Sequence, residues 1–427
     1  MKTAKQLVKT GKHFCILPWV HFHAWPDGRV MPCCVADSDK PVAKLDKDLS
    51  ILDMMNSDAY KEIRRKMLND EYVDVCRRCF ALEDNGIWTL RKSQNLVRGI
   101  DNIDLVELTN EDGSIDDFKL KYMDIRFSNL CNYKCRSCGP GCSNLWGEEE
   151  IKRVGEADFY SKFGTKKTLV SNNEDGEFMT KLKPYLADVE EVYFAGGEII
   201  VTPEHYECLD YWVENGLTEQ VKLNYTTNMS KIKYKKWDLF EYWKKFPSID
   251  IWASLDAVGE VAELIRSGTQ WSKVEENLRA IRTECPHIKL QITPTISIWN
   301  IFEYHKLFDY LYENDLVCDD QAPRVNILTY PPHAAVGILP DHIRERLIRL
   351  YKSYERQFDG HEKDPRRKHE SIKNGFYAIT YALEHGKEDK KLLKEFFADQ
   401  AAIDRVRAEN IMDVIPDLVE VYEWTHS

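Results

Sequence analysis

Cys131-Asn132-Tyr133-Lys134-Cys135-Arg136-Ser137-Cys138 decides the fold, because it directly follows a short apolar, β-rich run at Tyr122–Phe127. Three thiols spaced CxxxCxxC in a loop suit iron–sulfur ligation, since soft thiolates hold such clusters. Three ligands for a four-iron cluster leave one iron open, and an open position marks a reactive metal site. The competing reading is a zinc loop with Cys142 as the fourth ligand.

Working outward, five more apolar runs follow at Glu191–Ala195, Val221–Tyr225, Ile249–Leu255, Ile288–Ile296 and Arg324–Leu328. Amphipathic segments such as Glu204–Asn215 and Trp271–Arg282 lie between them. Strands alternating with helices imply βαβ units and a parallel sheet. Right-handed crossovers roll six such units into an open barrel. The expected class is therefore α/β, a partial (β/α)6 barrel over residues 121–335. Residues 336–427 read as a charged helical region and 91–120 as a linker or long loop.

Polar punctuation falls at the carboxyl ends of these runs, where barrel-type folds build their sites. Gly196-Gly197-Glu198 follows the second run and Thr226-Thr227-Asn228 the third. Ser254 and Asp256 end the fourth, with Arg266 a short helix later. Trp299-Asn300 follows the fifth, and Thr329-Tyr330 and His333 follow the sixth.

A second constellation occupies residues 1–90: Cys15, then Gly28, Cys33 and Cys34, then Cys76-Arg77-Arg78-Cys79. Twelve residues separate Cys15 from Gly28 and four separate Gly28 from Cys33. A glycine at a hairpin turn brings two Cys-bearing strands together, and a helix is expected near Ser57–Leu68. Eight of the 12 cysteines thus fall in two compact sets, which in a cytosolic chain reads as metal or redox chemistry. Cys208, Cys285 and Cys318 stand alone and read as small buried hydrophobes. A zinc ribbon competes for the N-terminal set. His21 and His23 alternate on one strand face and read as solvated, Trp19 and Trp25 as core, and Lys231–Lys236 as a solvated helix face.

The 427 residues, 43% hydrophobic, suffice for two or three domains. A net charge of -12 argues against a general nucleic-acid binder. No signal peptide is read at the N-terminus, no run nears the roughly 18 apolar residues of a membrane span, and a cytoplasmic location is expected.

Cys131, Cys135 and Cys138 match the CxxxCxxC signature of the radical S-adenosylmethionine (SAM) superfamily, which the chain resembles. The resemblance implies a [4Fe–4S] cluster whose open iron is chelated by SAM. Gly196-Gly197-Glu198 looks like the family's GGE motif, which holds the SAM amino group. Thr227-Asn228 resembles the TN motif beside the sulfonium or ribose. Ser254 and Arg266 resemble the ribose and carboxylate contacts of peptide-modifying members, and Asp256 and Asn300 are grouped with this cofactor-binding set. Two departures stand out: Ser137 replaces the usual aromatic residue before the third Cys, and Ile199 replaces the Pro after GGE. Adenine packing then falls to Tyr133, Ile296 or Ile298.

The N-terminal set resembles the opening CxnGx4C of SPASM and twitch domains. That implies an auxiliary [4Fe–4S] cluster on Cys15, Cys33, Cys76 and Cys79, with Cys34 as a substitute. The tail Leu392–Trp424 resembles the C-terminal helices of twitch-containing radical SAM proteins. Reductive cleavage of SAM to a 5′-deoxyadenosyl radical and hydrogen abstraction from a peptide or protein is the expected function. Oxidation or rearrangement of a small polar molecule is the alternative, and a zinc-bearing binding module without catalysis another. A flavodoxin- or ferredoxin-like electron donor is implied. Tyr330 and His333 stand where substrate could lie.

Overall fold

The computed structural model describes residues 2–170, 177–314, 316, 323–357 and 369–427. Cys318 lies outside them. The chain packs as two units: Met1–Leu130 with Thr168–Asn224 and Lys245–Ser248, and Cys131–Lys167 with Tyr225–Lys244 and Ile249–Ser427.

In the first unit, strand His21–Ala24 turns at Gly28 (φ +86°) into antiparallel Arg29–Met31, which pairs with Ala43–Lys44. On its other edge His21–Ala24 runs parallel to Tyr122–Ile125, placing His21 beside Tyr122 and His23 beside Asp124. Tyr122–Ile125 is in turn parallel to Glu191–Phe194. The N-terminal hairpin and the first expected barrel strand therefore share one sheet. The helix expected near Ser57–Leu68 is Asp58–Leu68, with the Ser57 hydroxyl capping it at Tyr60 N. Its buried stripe is Tyr60, Ile63, Arg64 and Met67, the i, i+3, i+4, i+7 spacing of one helix face.

The expected linker 91–120 is instead partly helical, at Leu90–Gln94, Asn95–Gly99 and Ile103–Glu107. Its polar composition suggested a loop. Yet Arg91, Gln94, Asn95, Arg98 and Asn102 are buried, each bonded to a backbone carbonyl or a buried partner. Asn95 alone bridges Ile16 N and Phe14 O. Burial of polar side chains is tolerated when they are bonded, and of these five only Arg98 Nε is buried without a partner among the described residues.

In the second unit, Ile249–Ala253 runs parallel to Lys289–Ile292, and Thr295–Ile296 parallel to Asn326–Ile327. The expected strand Ile288–Ile296 is split because Pro294 lacks the N–H a ladder needs. Parallel pairs in both units, with helices such as Pro203–Glu214 in the first and Trp271–Glu284 in the second, make a mixed α/β protein. Lys231–Lys236 forms no helix: Lys233–Tyr234 pairs with Trp237–Asp238 as a hairpin, turning at Lys235 (φ +52°). The C-terminal region is helical as expected, at Asp341–Gln357, His369–Glu384, Lys390–Arg407, Ile411–Val414 and Asp417–His426. No described helix is long and apolar enough to cross a membrane.

Candidate functional site

The Cys131–Cys138 loop lies in the second unit and is fixed from three directions. Lys134–Cys135 forms a short antiparallel ladder with Arg266–Ser267, setting Cys135 opposite Arg266. The Arg266 guanidinium donates through Nε to Asp256 Oδ2 at 2.8 Å, and its Nη1 stands 4.0 Å from Cys135 Sγ. Gly268, at φ +108°, packs so closely under the loop that a Cβ there would stand 2.8 Å from Asn132 O. From a second side, Asn132 Nδ2 donates to Ser230 Oγ at 2.9 Å and Asn228 Nδ2 to Asn132 Oδ1 at 3.1 Å. The Thr226–Asn228 turn is thereby tied to the thiol loop, and Thr227 O accepts from Ser254 N at 2.9 Å. Asn144 Oδ1 accepts from Cys131 N at 2.9 Å.

Hydrogen bonding between Cys135 and Cys138 holds the Cys135 thiol below its ordinary value against the opposing effect of burial, and Arg266 adds to that lowering. Donors thus converge on these sulfurs, with Tyr133 N 3.5 Å from Cys131 Sγ. Such a donor set suits thiolates that carry an iron–sulfur cluster. Asp256 is held by the protein itself: its Oδ1 accepts from Thr295 N at 2.8 Å, and its carbonyl accepts from Asn300 Nδ2 at 2.9 Å. The side chains of Asp256 and Asn300 brace Arg266 and the strand ends. Of the adenine candidates, Tyr133, Ile296 and Ile298 are all fully buried. Tyr330 is exposed, and His333 lies 3.8 Å from Asp399.

Gly196, Gly197 and Glu198 belong to the first unit, at the end of strand Glu191–Phe194. Glu198 N donates to Leu130 O at 2.7 Å, and Gly197 N to Ser128 O at 3.2 Å. Glu198 is buried, and Ile200 N donates to its Oε1 at 3.3 Å.

The N-terminal cysteines also gather in the first unit. Cys15 precedes the turn of helix Leu17–Val20, Cys33 follows strand Arg29–Met31, and Cys76 and Cys79 lie on Asp74–Cys76 and Arg77–Asp84. Cys15, Cys33, Cys76 and Cys79 line one small cavity together with Leu17, Val35, Ala36 and Arg91. Burial pushes the Cys15 thiol up to about 12, with the neighbouring Cys79 adding to it. Burial likewise raises Cys33, Cys76 and Cys79. Cys34 does not line the cavity; its neighbours are Asp124, Cys33 and Arg126. Among the described residues no three His, Cys, Asp or Glu side chains are placed to hold a single metal ion.

Arg91, which sequence reasoning missed, donates to Phe14 O at 2.6 Å and pairs with Glu83. No spacing or motif announces it. His21 and His23, read as solvated, are buried: the Nδ1 atoms lie 2.8 Å from Tyr122 O and 2.7 Å from Asp124 O. The alternation that suggested a water-facing edge instead faces Tyr122 and Asp124 across the parallel ladder. Lone Cys208 and Cys285 are buried, as expected.

Residues 15–80 match the SPASM model, an iron–sulfur cluster-binding domain. No curated protein matches the chain. Among solved structures, anSMEcpe with bound AdoMet and Cp18Cys peptide is similar at 16% identity, covering 55% of this chain and 59% of that one, with a TM-score of 0.35. TYW1 with a lysine-pyruvate adduct bound is similar at 14% identity, covering 54% of this chain and 70% of that one, with a TM-score of 0.28. The match thus spans under two thirds of the anSMEcpe chain, and at such TM-scores neither likeness bears on chemistry.

Proposed function

We propose that this chain is a radical SAM enzyme with an auxiliary [4Fe–4S] cluster, acting on a peptide or protein. The observation that carries the reading is the Cys131–Cys138 loop, three thiols on a segment laddered to Arg266 and tied through Asn132 to the Thr226–Asn228 turn. An iron–sulfur cluster on those thiolates, with SAM on its open iron, supplies a 5′-deoxyadenosyl radical when reduced. The protein's own residues bind and orient. Glu198 offers a buried carboxylate to an ammonium, and Arg266 offers the N–H groups that Asp256 leaves over to a carboxylate, the pairings charge favours. Thr227, Asn228 and Ser254 serve the ribose side.

At the N-terminal domain, Cys15, Cys33, Cys76 and Cys79 hold the second cluster. Four thiolates leave it no open iron, which favours electron transfer over substrate ligation. A flavodoxin- or ferredoxin-like protein supplies the electron. The peptide class is supported by the likeness of Ser254 and Arg266 to the pair of peptide-modifying members.

The test is the variant with Cys131, Cys135 and Cys138 all replaced by Ala, reconstituted without oxygen. It should keep iron in the N-terminal domain and form no 5′-deoxyadenosine from SAM under dithionite. Wild-type amounts of 5′-deoxyadenosine from that variant would sink the reading.

A further inference from the structure

The helix Lys390–Arg407 of the second unit reaches back about 270 positions to the thiol loop. Gln400, Asp404 and Arg407 recur at i, i+4 and i+7 on Lys390–Arg407, so they share one face. Arg136, between Cys135 and Cys138, is buried against that face. Its Nη1 donates to Gln400 Oε1 at 2.8 Å, and its Nη2 to Asp404 Oδ1 at 2.5 Å and Glu409 Oε2 at 2.7 Å. The helix ends at Ala408 in the left-handed region (φ +54°), which turns Glu409 back toward Arg136. On the other side of Cys135, Arg407 Nη2 donates to Lys134 O at 2.8 Å, and Arg407 Nε and Nη2 both donate to Glu149 Oε1.

Both residues flanking Cys135 are therefore held by one helix end. The Arg407 side chain is 2% exposed, and its Nη1 is buried with no hydrogen-bond partner among the described residues. Buried guanidinium donors seldom stay unbonded.

We propose that Arg407 is a positioning residue for the cluster on Cys131, Cys135 and Cys138, presenting a buried positive charge and a free N–H to it, with Arg136 the strut that keeps the helix in register. The inference rests on the radical SAM reading. Hydrogen bonds and nearby positive charge set a cluster's reduction potential. Arg407 makes this cluster easier to reduce, and Glu149 offsets part of that charge.

The experiment is a redox titration of the full-length, reconstituted protein followed by electron paramagnetic resonance. The relevant cluster is the one whose spectrum changes when SAM is added. Arg407→Gln should move its midpoint to more negative potential, Arg407→Lys should restore most of the shift, and Glu149→Gln should move it the opposite way. A purely structural role gives no such reversal of sign. If Arg407→Gln does not fold, Glu149→Gln decides: an upward shift supports the role, and no shift or a downward one overturns it. A SAM-responsive cluster whose midpoint is the same in Arg407→Gln and wild type overturns this role alone. A wild type with no SAM-responsive cluster overturns both readings.

Discussion

Gly197 lies against Leu130 so closely that a Cβ built on it would stand 2.2 Å from the Leu130 carbonyl oxygen. The obstacle is backbone, also Asn129 C at 2.7 Å, so no side chain can swing aside. The contact places the Glu198 N–H on Leu130 O, one residue before the thiol loop begins. Gly197→Ala should cost about 1–3 kcal/mol, as overpacking does. It should also weaken SAM binding, measured by equilibrium dialysis of the reconstituted protein. A variant with wild-type melting and wild-type SAM affinity would show that this approach is not needed.

The four-thiol cavity makes a sharp distinction between adjacent cysteines. Cys33 lines it and Cys34 does not. Two four-iron clusters give about eight irons per chain. Cys33→Ala should drop that toward about four, whereas Cys34→Ala should leave it near about eight. Iron and sulfide assays after anaerobic reconstitution decide; equal losses in both variants would mean that Cys34 ligates.

What could be read from the sequence was whatever is local in it. The CxxxCxxC spacing, the Gly28 turn before Cys33 and the capped helix after Ser57 are all short-range patterns, and the structure has each in place. What could not be read depends on partners far along the chain. Arg407 acts on Lys134 from the other end of the sequence, and nothing near Arg407 distinguishes it from a solvated helix cation. His21 and His23 alternate as a half-exposed strand does, yet a parallel neighbour a hundred residues later covers them. Residues 91–107 are polar enough to look like a loop, but Arg91, Gln94, Asn95, Arg98 and Asn102 are buried and bonded internally rather than hydrated.

His21 supplies a pH test. Burial, reinforced by His23, lowers its folded-state value to about 3, against about 6.5 in an unfolded chain. Below about pH 6.5 the unfolded state binds a proton that the folded state refuses. The stabilisation is thus complete above about pH 6.5 and is lost as pH falls toward 3, at about 1.4 kcal/mol per pH unit. Between pH 7.5 and 5.5, wild type should lose about 1 kcal/mol more than His21→Phe in anaerobic urea unfolding. His205, also lowered to about 3 by burial, keeps some pH dependence in both proteins. Parallel curves for the two would mean that His21 takes up its proton in the folded state.

Arg91 and Glu83 form a buried ion pair beside the auxiliary cavity, with side chains 7% and 9% exposed. Arg91 Nε donates to Glu83 Oε1 at 3.0 Å, Thr89 Oγ1 also donates to Glu83, and Arg91 Nη1 donates to Phe14 O and Gly11 O. Removing one partner leaves the other charged, desolvated and unpaired, which costs about 3–5 kcal/mol. Glu83→Leu and Arg91→Met should each lose stability on that scale. Replacing both removes two desolvation penalties together and costs far less than the sum, because well-packed apolar residues often substitute for a buried pair at little loss. Arg91 has a further duty: it lines the cavity of Cys15, Cys33, Cys76 and Cys79, where a cation favours thiolates. The double variant should therefore recover folding stability while holding its N-terminal iron less tightly, seen as faster loss to a chelator. Melting curves and iron-release rates on the same four proteins separate the two effects. Additive losses of stability in the double variant would show that the two side chains act independently, and unchanged iron release would confine Arg91 to the fold.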